Sequence, residues 1–204
     1  MFKTVRKIES YQSQCEDRAE VIPHSAGPVI VLADGAGGTT GGAEAADTVV
    51  LWVRAYVSRG ADVHDAEGWR ELLATIDLQI NAFGGQTTAV VAAVSVQGVV
   101  GASVGDSAAW MVRADGWQNL TAAQVRKPLL GSGEAKPVAF AMEGFSGTLL
   151  VTSDGLVKYA PVPKICAAAT GADIEVAARQ LVDLVRLRSG ALQDDVSVVL
   201  CRQL

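Results

Sequence analysis

The sequence predicts an α+β fold in which antiparallel strands form one sheet or a pair of sheets, with helices on the outer faces. Strand-length apolar runs follow one another through tight-turn dipeptides in the middle of the chain, and strands joined in this way pair antiparallel. Helical periodicity lies before and after that region, which argues against a doubly wound parallel sheet. The 204 residues, half of them apolar, are enough for a single domain over residues 1–204.

The first half of the chain is predicted to contain one strand and two helices. The run PVIVLADG, residues 28–35, is apolar and ends in glycine, as expected for a buried strand. Apolar residues then recur at helical spacing through residues 43–59. A second helical pattern covers about residues 66–82, and Gly84-Gly85 ends it.

The centre of the chain is predicted to be rich in strands. The dipeptides Gln97-Gly98 and Asp115-Gly116 suit tight turns, and they lie between or after the runs QTTAVVAAVSV, VVGASVG and AAWMVRADG. Residues 117–147 show no such runs and are predicted to be irregular.

The last third is predicted to contain a strand, a long helix and a final strand. The first strand is GTLLVTSDG, residues 147–155. An amphipathic helix is expected over about residues 173–189, with Asp173 as its N-cap and Gly190 just past its end. The final strand is VSVVLCRQL.

Composition and charge exclude several classes of function. The formal charge is -5 and no cluster of lysines and arginines exists, so nucleic acid is not an expected partner. No apolar stretch is long enough to cross a bilayer, and the N-terminal residues lack the apolar core of a signal peptide. The three cysteines are far apart and form no CxxC pair. We therefore expect reduced thiols, a cytoplasmic location and no membrane contact.

Aspartates recur where the predicted strands meet tight loops. A single aspartate in such a place is most simply a turn residue that accepts backbone N–H groups. If the strands lie side by side, however, the carboxylates converge, and a hard divalent cation would relieve their repulsion. Histidines and cysteines lie outside these stretches, so the pattern favours Mg²⁺ or Mn²⁺ over Zn²⁺. These positions are Asp34, Asp106, Asp154 and the pair Asp194-Asp195.

The glycine-rich stretch DGAGGTTGG, residues 34–42, raises the alternative of a nucleotide-phosphate cradle. The P-loop pattern requires a lysine, and there is none between Lys7 and Lys127. The pattern GxGxxG, started at Gly35, meets Thr40 at its sixth position. We therefore interpret the glycines as backbone freedom around the preceding aspartate.

Five segments, in order along nearly the whole chain, resemble motifs of the type 2C metal-dependent protein serine/threonine phosphatases. CEDRAEV resembles the family's N-terminal Asn-Glu-Asp element, and VLADGAGG resembles Val-x-Asp-Gly-x-Gly-Gly. GGQTTAVVAAV followed by GASVGDSAAWMV is similar to the Gly-x-Thr and Val-Gly-Asp-Ser-Arg pair. LLVTSDGL resembles Leu-x-Ser-Asp-Gly, and QDDVSVVL resembles the closing Asp-Asn-x-Ser/Thr-Val-Val.

The resemblance implies a four-layer α-β-β-α sandwich of two antiparallel sheets flanked by helices, with two Mn²⁺ or Mg²⁺ ions at one end. It implies hydrolysis of phosphoserine and phosphothreonine in proteins by a metal-activated water, with Asp34, Asp154 and Asp194 as catalytic residues. Asp17 would support Glu16 from behind. The implied partners are a phosphoprotein substrate and a cognate serine/threonine kinase. The implied metal ligands are Glu16, Asp34, the Gly35 carbonyl, Asp154 and Asp194.

The chain departs from the family pattern at positions that concern phosphate and a third metal. Gln12 stands where the family usually has a phosphate-binding arginine, and glutamine lacks the charged fork of a guanidinium. A third metal would use Asp106 and an aspartate four residues after Asp154, but that position is Lys158. Lys158 is either a phosphate contact or a solvated surface lysine.

Two further departures lie next to the candidate ligands. Ala36 stands where a histidine is often found, and Asp195 replaces the common asparagine. These changes, with Gln12 and Lys158, keep an alternative open: a phosphatase-like binding module that binds metal and a partner with little turnover.

Overall fold

Two five-stranded antiparallel sheets form the centre of the computed structural model, which describes residues 1–36 and 41–204. Part of the glycine-rich stretch, residues 37–40, lies outside the described residues. The first sheet contains, in spatial order, β1 (Phe2–Glu9), β10 (Val196–Gln203), β9 (Thr148–Thr152), β6 (Ala108–Arg113) and β7 (Gly116–Asn119). The second contains β2 (Asp17–Ile22), β3 (Val29–Asp34), β4 (Ala89–Ser95), β5 (Gly98–Val104) and β8 (Val138–Glu143).

Helices cover the outer face of each sheet. The helices α1 (Gly42–Ser58) and α2 (Ala66–Asn81) lie on the second sheet. The first sheet is covered by α3 (Asp154–Val157), α4 (Val162–Ala169) and α5 (Ile174–Asp183). The predicted α-β-β-α sandwich is therefore confirmed. No helix among the described residues is long and apolar enough to span a membrane.

Strand β3 shows why the interior strands are apolar along their whole length. Val29, Val31 and Ala33 point towards α1 and α2, where they join the core around Trp69. The alternate residues Ile30 and Leu32 point to the other sheet and belong to the layer between the sheets. Since side chains alternate between two buried faces, the whole run must be apolar.

Four strands were not predicted, and all four lie at sheet edges. They are β1, β2, β7 and β8, and the last two fall within or next to the region predicted to be irregular. An edge strand exposes part of its surface, so its sequence is mixed and shows no continuous apolar run. In β8, only Phe140 and Met142 are buried.

The helical prediction for the last third was wrong in two details. The short helices α3 and α4 were missed, and α5 ends at Asp183 although the prediction extended the helix to residue 189. Asp173 does cap α5, accepting the backbone N–H groups of Glu175 and Val176. Beyond the helix the chain turns, and Arg186 bonds to the Gly190 carbonyl and forms an ion pair with Glu9 of β1.

A buried carboxylate on α2 anchors the irregular segment between β7 and β8. Asp77 is 3% exposed, and its Oδ1 accepts the N–H groups of Gly131 at 2.7 Å and Gly133 at 3.1 Å. Its Oδ2 accepts the Ala135 N–H at 3.0 Å. The segment is therefore fixed to the second sheet and its helices.

We expect Asp77→Ala to lower the free energy of unfolding by about 2–4 kcal/mol, because three backbone N–H groups would lose a charged acceptor. Urea unfolding followed by tryptophan fluorescence measures the change. Glu71→Ala, an exposed carboxylate on the same helix, is the control and should stay within about 0.5 kcal/mol of the parent protein. Equal effects of the two substitutions would contradict the anchoring role.

Candidate metal centre

A cleft of about 660 Å³ opens at one end of the sandwich, where strand ends of both sheets meet. The Gly35 backbone and the uncharged Gln12 also line it. Every residue predicted to bind a metal lies here, although the five acidic ones come from separate segments of the chain. The carboxylates that line the cleft are Glu16, Asp34, Asp106, Asp154, Asp194 and Asp195.

The end of β3 is held in place by hydroxyl groups of the neighbouring segment. The Asp34 N–H donates to Thr88 Oγ1 at 3.0 Å, and the Asp34 carbonyl accepts from Thr87 Oγ1 and from the Thr88 N–H, both at 2.9 Å. Thr88 Oγ1 and Ser107 Oγ share a buried hydrogen bond of 2.7 Å. Asp34 is therefore tied to the loop that carries Asp106.

The first sheet positions its acidic residues in a similar way. Asp154 is the first residue of α3, directly beyond β9. The preceding Ser153 accepts the Ser197 N–H at 2.9 Å through Oγ, which joins this turn to β10. A Cβ at Gly155 would lie 2.0 Å from the Asp195 carbonyl oxygen, so only glycine allows the two segments to approach this closely.

Gly35 occupies a similarly restricted position. A Cβ there would lie 2.6 Å from the backbone carbonyl of Gly42, and the Gly35 N–H donates to the Glu16 carbonyl at 3.2 Å. Gly35 therefore lies against both the start of α1 and the segment that carries Glu16.

Asp195 has a structural role that the sequence analysis missed. Its Oδ1 accepts the Tyr11 N–H and its Oδ2 accepts the Glu16 N–H, both at 2.7 Å. Asp195 thus fixes the segment between β1 and β2 over the cleft and orients Glu16. The paired acids Asp194-Asp195 were the signal, because neighbouring residues at the start of a strand point in different directions.

Asp17, predicted to support Glu16, lies beside Asp34. The two are directly paired in the β2–β3 register, and Asp17 is 2% exposed. Its carboxylate oxygens accept no hydrogen bond within the described part of the chain. Burial raises the Asp17 pKa to about 6. The pKa of Asp34 is raised well above its usual value, first by burial and then by the charge of Asp17.

The donor set fits Mg²⁺ or Mn²⁺. Burial and neighbouring acids also raise the pKa of Glu16 and of Asp154. The negative charge of the carboxylate cluster is therefore only partly compensated by nearby cations. The described lining residues include neither histidine nor cysteine, so the donors are oxygens, as these hard cations prefer. Among residues 1–36 and 41–204, no group of three acidic, histidine or cysteine side chains has the spacing that would hold one ion in this structure.

Two cationic side chains partly offset this charge. Lys158 Nζ lies 3.2 Å from Asp194 Oδ2 and 3.9 Å from Asp154 Oδ2. Arg126 Nε donates to Asp106 Oδ2 at 2.7 Å. Arg126 was not predicted from the sequence, where only the basic dipeptide Arg126-Lys127 could have indicated it. Asp106, the candidate third-metal ligand, is therefore engaged by an arginine in this structure.

The chain belongs to the protein phosphatase 2C family, because the sequence model of that family matches residues 6–128, more than half of the chain. The family predicted from the sequence is therefore confirmed, and so is the predicted enzyme class, a protein serine/threonine phosphatase. The alternative of a phosphatase-like binding module is not favoured. A search of curated proteins finds no match.

Solved structures share the fold over nearly the full length. A bacterial serine phosphatase is 22% identical, with a TM-score of 0.87 and coverage of 98% of this chain and 97% of that one. Stp1 from Staphylococcus aureus is 22% identical, with a TM-score of 0.87 and coverage of 100% and 96%. The catalytic domain of PstP, in complex with two manganese ions, is 20% identical, with a TM-score of 0.81 and coverage of 98% and 97%.

The raised Asp17 pKa predicts that the free energy of unfolding of the metal-free protein decreases as the pH rises. Folding raises this pKa from about 4 to about 6, so the folded state binds the proton more tightly and loses stability as the pH rises through that window. Asp17→Asn removes the charge. We expect its stability advantage over the parent to grow between pH 4 and 6, to at most about 3 kcal/mol, and then to level off.

Urea unfolding in EDTA between pH 4 and 7.5 measures this difference. Asp183→Asn, which changes an exposed carboxylate that does not line the cleft, is the control and should show no such rise. A constant difference between Asp17→Asn and the parent protein would show that Asp17 carries no extra proton in the folded state.

Proposed function

We propose that this phosphatase removes phosphate from phosphoserine and phosphothreonine in proteins with two divalent ions, Mn²⁺ or Mg²⁺, bound in the cleft. The observation that carries the proposal is the meeting of acidic residues from five chain segments and both sheets in one cleft with oxygen donors. The residues that would hold the ions are Glu16, Asp34, the Gly35 carbonyl, Asp154 and Asp194.

Ions held by these residues would supply an activated water as nucleophile and would neutralise charge on the phosphoryl oxygens. The chain's own residues orient the site. Thr87 and Thr88 fix the backbone of Asp34, and Asp195 fixes that of Glu16. The methyl side chain of Ala36, which lines the cleft, cannot act as a general acid towards the leaving serine or threonine oxygen.

The biological setting is also a proposal. The substrate is a protein phosphorylated by a serine/threonine kinase, and a cognate kinase is the expected partner in signalling. The spacing of the three cysteines supports a cytoplasmic location.

Phosphate release from a phosphothreonine peptide across a Mn²⁺ titration tests the activity. We expect Mn²⁺-dependent turnover in the parent protein and a loss of at least about 100-fold in Asp154→Ala, since an ion contributes several kcal/mol to the transition state. Asp34→Ala should behave alike, and Glu71→Ala is the control. A rise in melting temperature with Mn²⁺, but no turnover in the parent protein, would support the binding-module alternative.

We further propose that Lys158 contacts the substrate phosphate after the ions displace it from Asp194 and Asp154. Its ammonium is half exposed and lies at the edge of the cluster, so a short movement brings it to a bound phosphoryl group. While it pairs with two proposed ligands, it competes with metal for them.

Lys158→Met separates these effects. We expect Mn²⁺ to bind up to about fivefold more tightly, which is the scale of a half-exposed ion pair, and KM for the phosphopeptide to rise. Isothermal titration with Mn²⁺ alone and steady-state kinetics measure the two quantities, with Lys164→Met on α4 as control. If Lys158→Met leaves both the Mn²⁺ affinity and KM unchanged, Lys158 is a solvated surface residue with no role in the site.

A further inference from the structure

The cleft lacks an arginine at the position expected from the family pattern, although its negative charge would oppose the binding of a phosphate without a nearby cation. Six carboxylates line it, and a phosphate monoester brings further negative charge. Gln12 lies on the wall but cannot form the charged, bidentate hydrogen bonds that a guanidinium makes to phosphate. The cationic lining residues within the described chain are Arg126 and Lys127, on the segment between β7 and β8.

The Arg126 side chain is available to a ligand. It is 71% exposed, and only its Nε has a hydrogen-bond partner in the described structure, namely Asp106. A guanidinium has five N–H donors, so both terminal nitrogens are left to bind an anion.

The segment that carries Arg126 is fixed on both sides. Before it, Gln124 Nε2 donates to the Ser107 carbonyl at 2.7 Å, and the Val125 carbonyl accepts the Gly105 N–H at 3.3 Å. After it, the Leu130 backbone pairs with Thr87 in both directions at 3.1 Å. The backbone that carries Arg126 is therefore held against the loops that position Asp106 and Asp34, and the Nε–Asp106 bond directs its side chain towards the cleft.

We propose that Arg126 binds the phosphoryl group of the substrate, in place of the arginine missing at Gln12, and that Asp106 positions Arg126 and does not hold a third metal. This inference rests on the proposed function. It assigns the Asp106–Arg126 ion pair to substrate binding, and it explains why this chain can carry Lys158 where a third-metal aspartate would stand.

The test compares Arg126→Ala, Arg126→Lys and Asp106→Asn with the parent protein and with Arg70→Ala, an ion-paired arginine on α2 far from the cleft. We expect Arg126→Ala to raise KM for a phosphothreonine peptide about 10- to 100-fold, with a smaller effect on kcat. The inhibition constant of inorganic phosphate should rise in parallel. Arg126→Lys should recover only part of the affinity for the peptide and for phosphate, because an ammonium group lacks the planar, two-pronged donor geometry of a guanidinium.

Asp106→Asn distinguishes a positioning residue from a metal ligand. If Asp106 acts through Arg126, Asp106→Asn should raise KM, leave the Mn²⁺ concentration dependence unchanged and add little to Arg126→Ala in the double variant. A shift in the Mn²⁺ dependence with additive effects on KM would overturn the assignment of Asp106.

Binding measurements keep this inference separate from the proposed function. Isothermal titration of the phosphothreonine peptide into the Mn²⁺-loaded protein reports affinity whether or not turnover occurs. If the parent protein binds the peptide without hydrolysing it, the proposed catalysis is wrong. Weaker binding of the peptide by Arg126→Ala would still support the role of Arg126. Equal affinity of Arg126→Ala and the parent, with melting temperatures unchanged, would refute it.

Discussion

The site depends on the repulsion between carboxylates that the two sheets hold close together at one end of the sandwich. Each acid raises the cost of ionising its neighbours, and burial adds to that cost at Asp17 and Asp34. The core between the sheets keeps the strand ends in place despite this repulsion. In the proposed function a divalent cation would relieve it, so the same electrostatics that weaken the metal-free fold would favour metal binding in the cleft.

Small hydroxyl side chains make this arrangement rigid. Thr87 and Thr88 satisfy the backbone of Asp34 on the second sheet, and Ser153, next to Asp154, accepts the Ser197 N–H of β10 on the first. These hydroxyl groups bind backbone atoms and not the carboxylate oxygens of the two aspartates. Each short acidic motif in the sequence therefore combines an acid with residues that hold the backbone around it.

The interior of the fold could be predicted from sequence, but its edges could not. Strands such as β3 are buried on both faces and give unbroken apolar runs, whereas β1 and β8 are partly exposed and give mixed ones. Likewise, the candidate ligands share a recognisable pattern of an acid after a strand. Arg126 has no such pattern, since its place beside Asp106 depends on the path of an irregular segment fixed by Asp77.

The division of the acidic residues between two sheets has a consequence for distant parts of the protein. Asp34 ends β3 and Glu16 directly precedes β2 in the second sheet, whereas Asp154 follows β9 and Asp194 precedes β10 in the first. The distance between these pairs therefore depends on how one sheet sits on the other. Met111 and Leu149 fill the layer between them. In the proposed function, replacing either residue with a smaller one would change the affinity for Mn²⁺ although no proposed metal ligand is substituted. The affinity for Mn²⁺ would then report on the alignment of the two sheets.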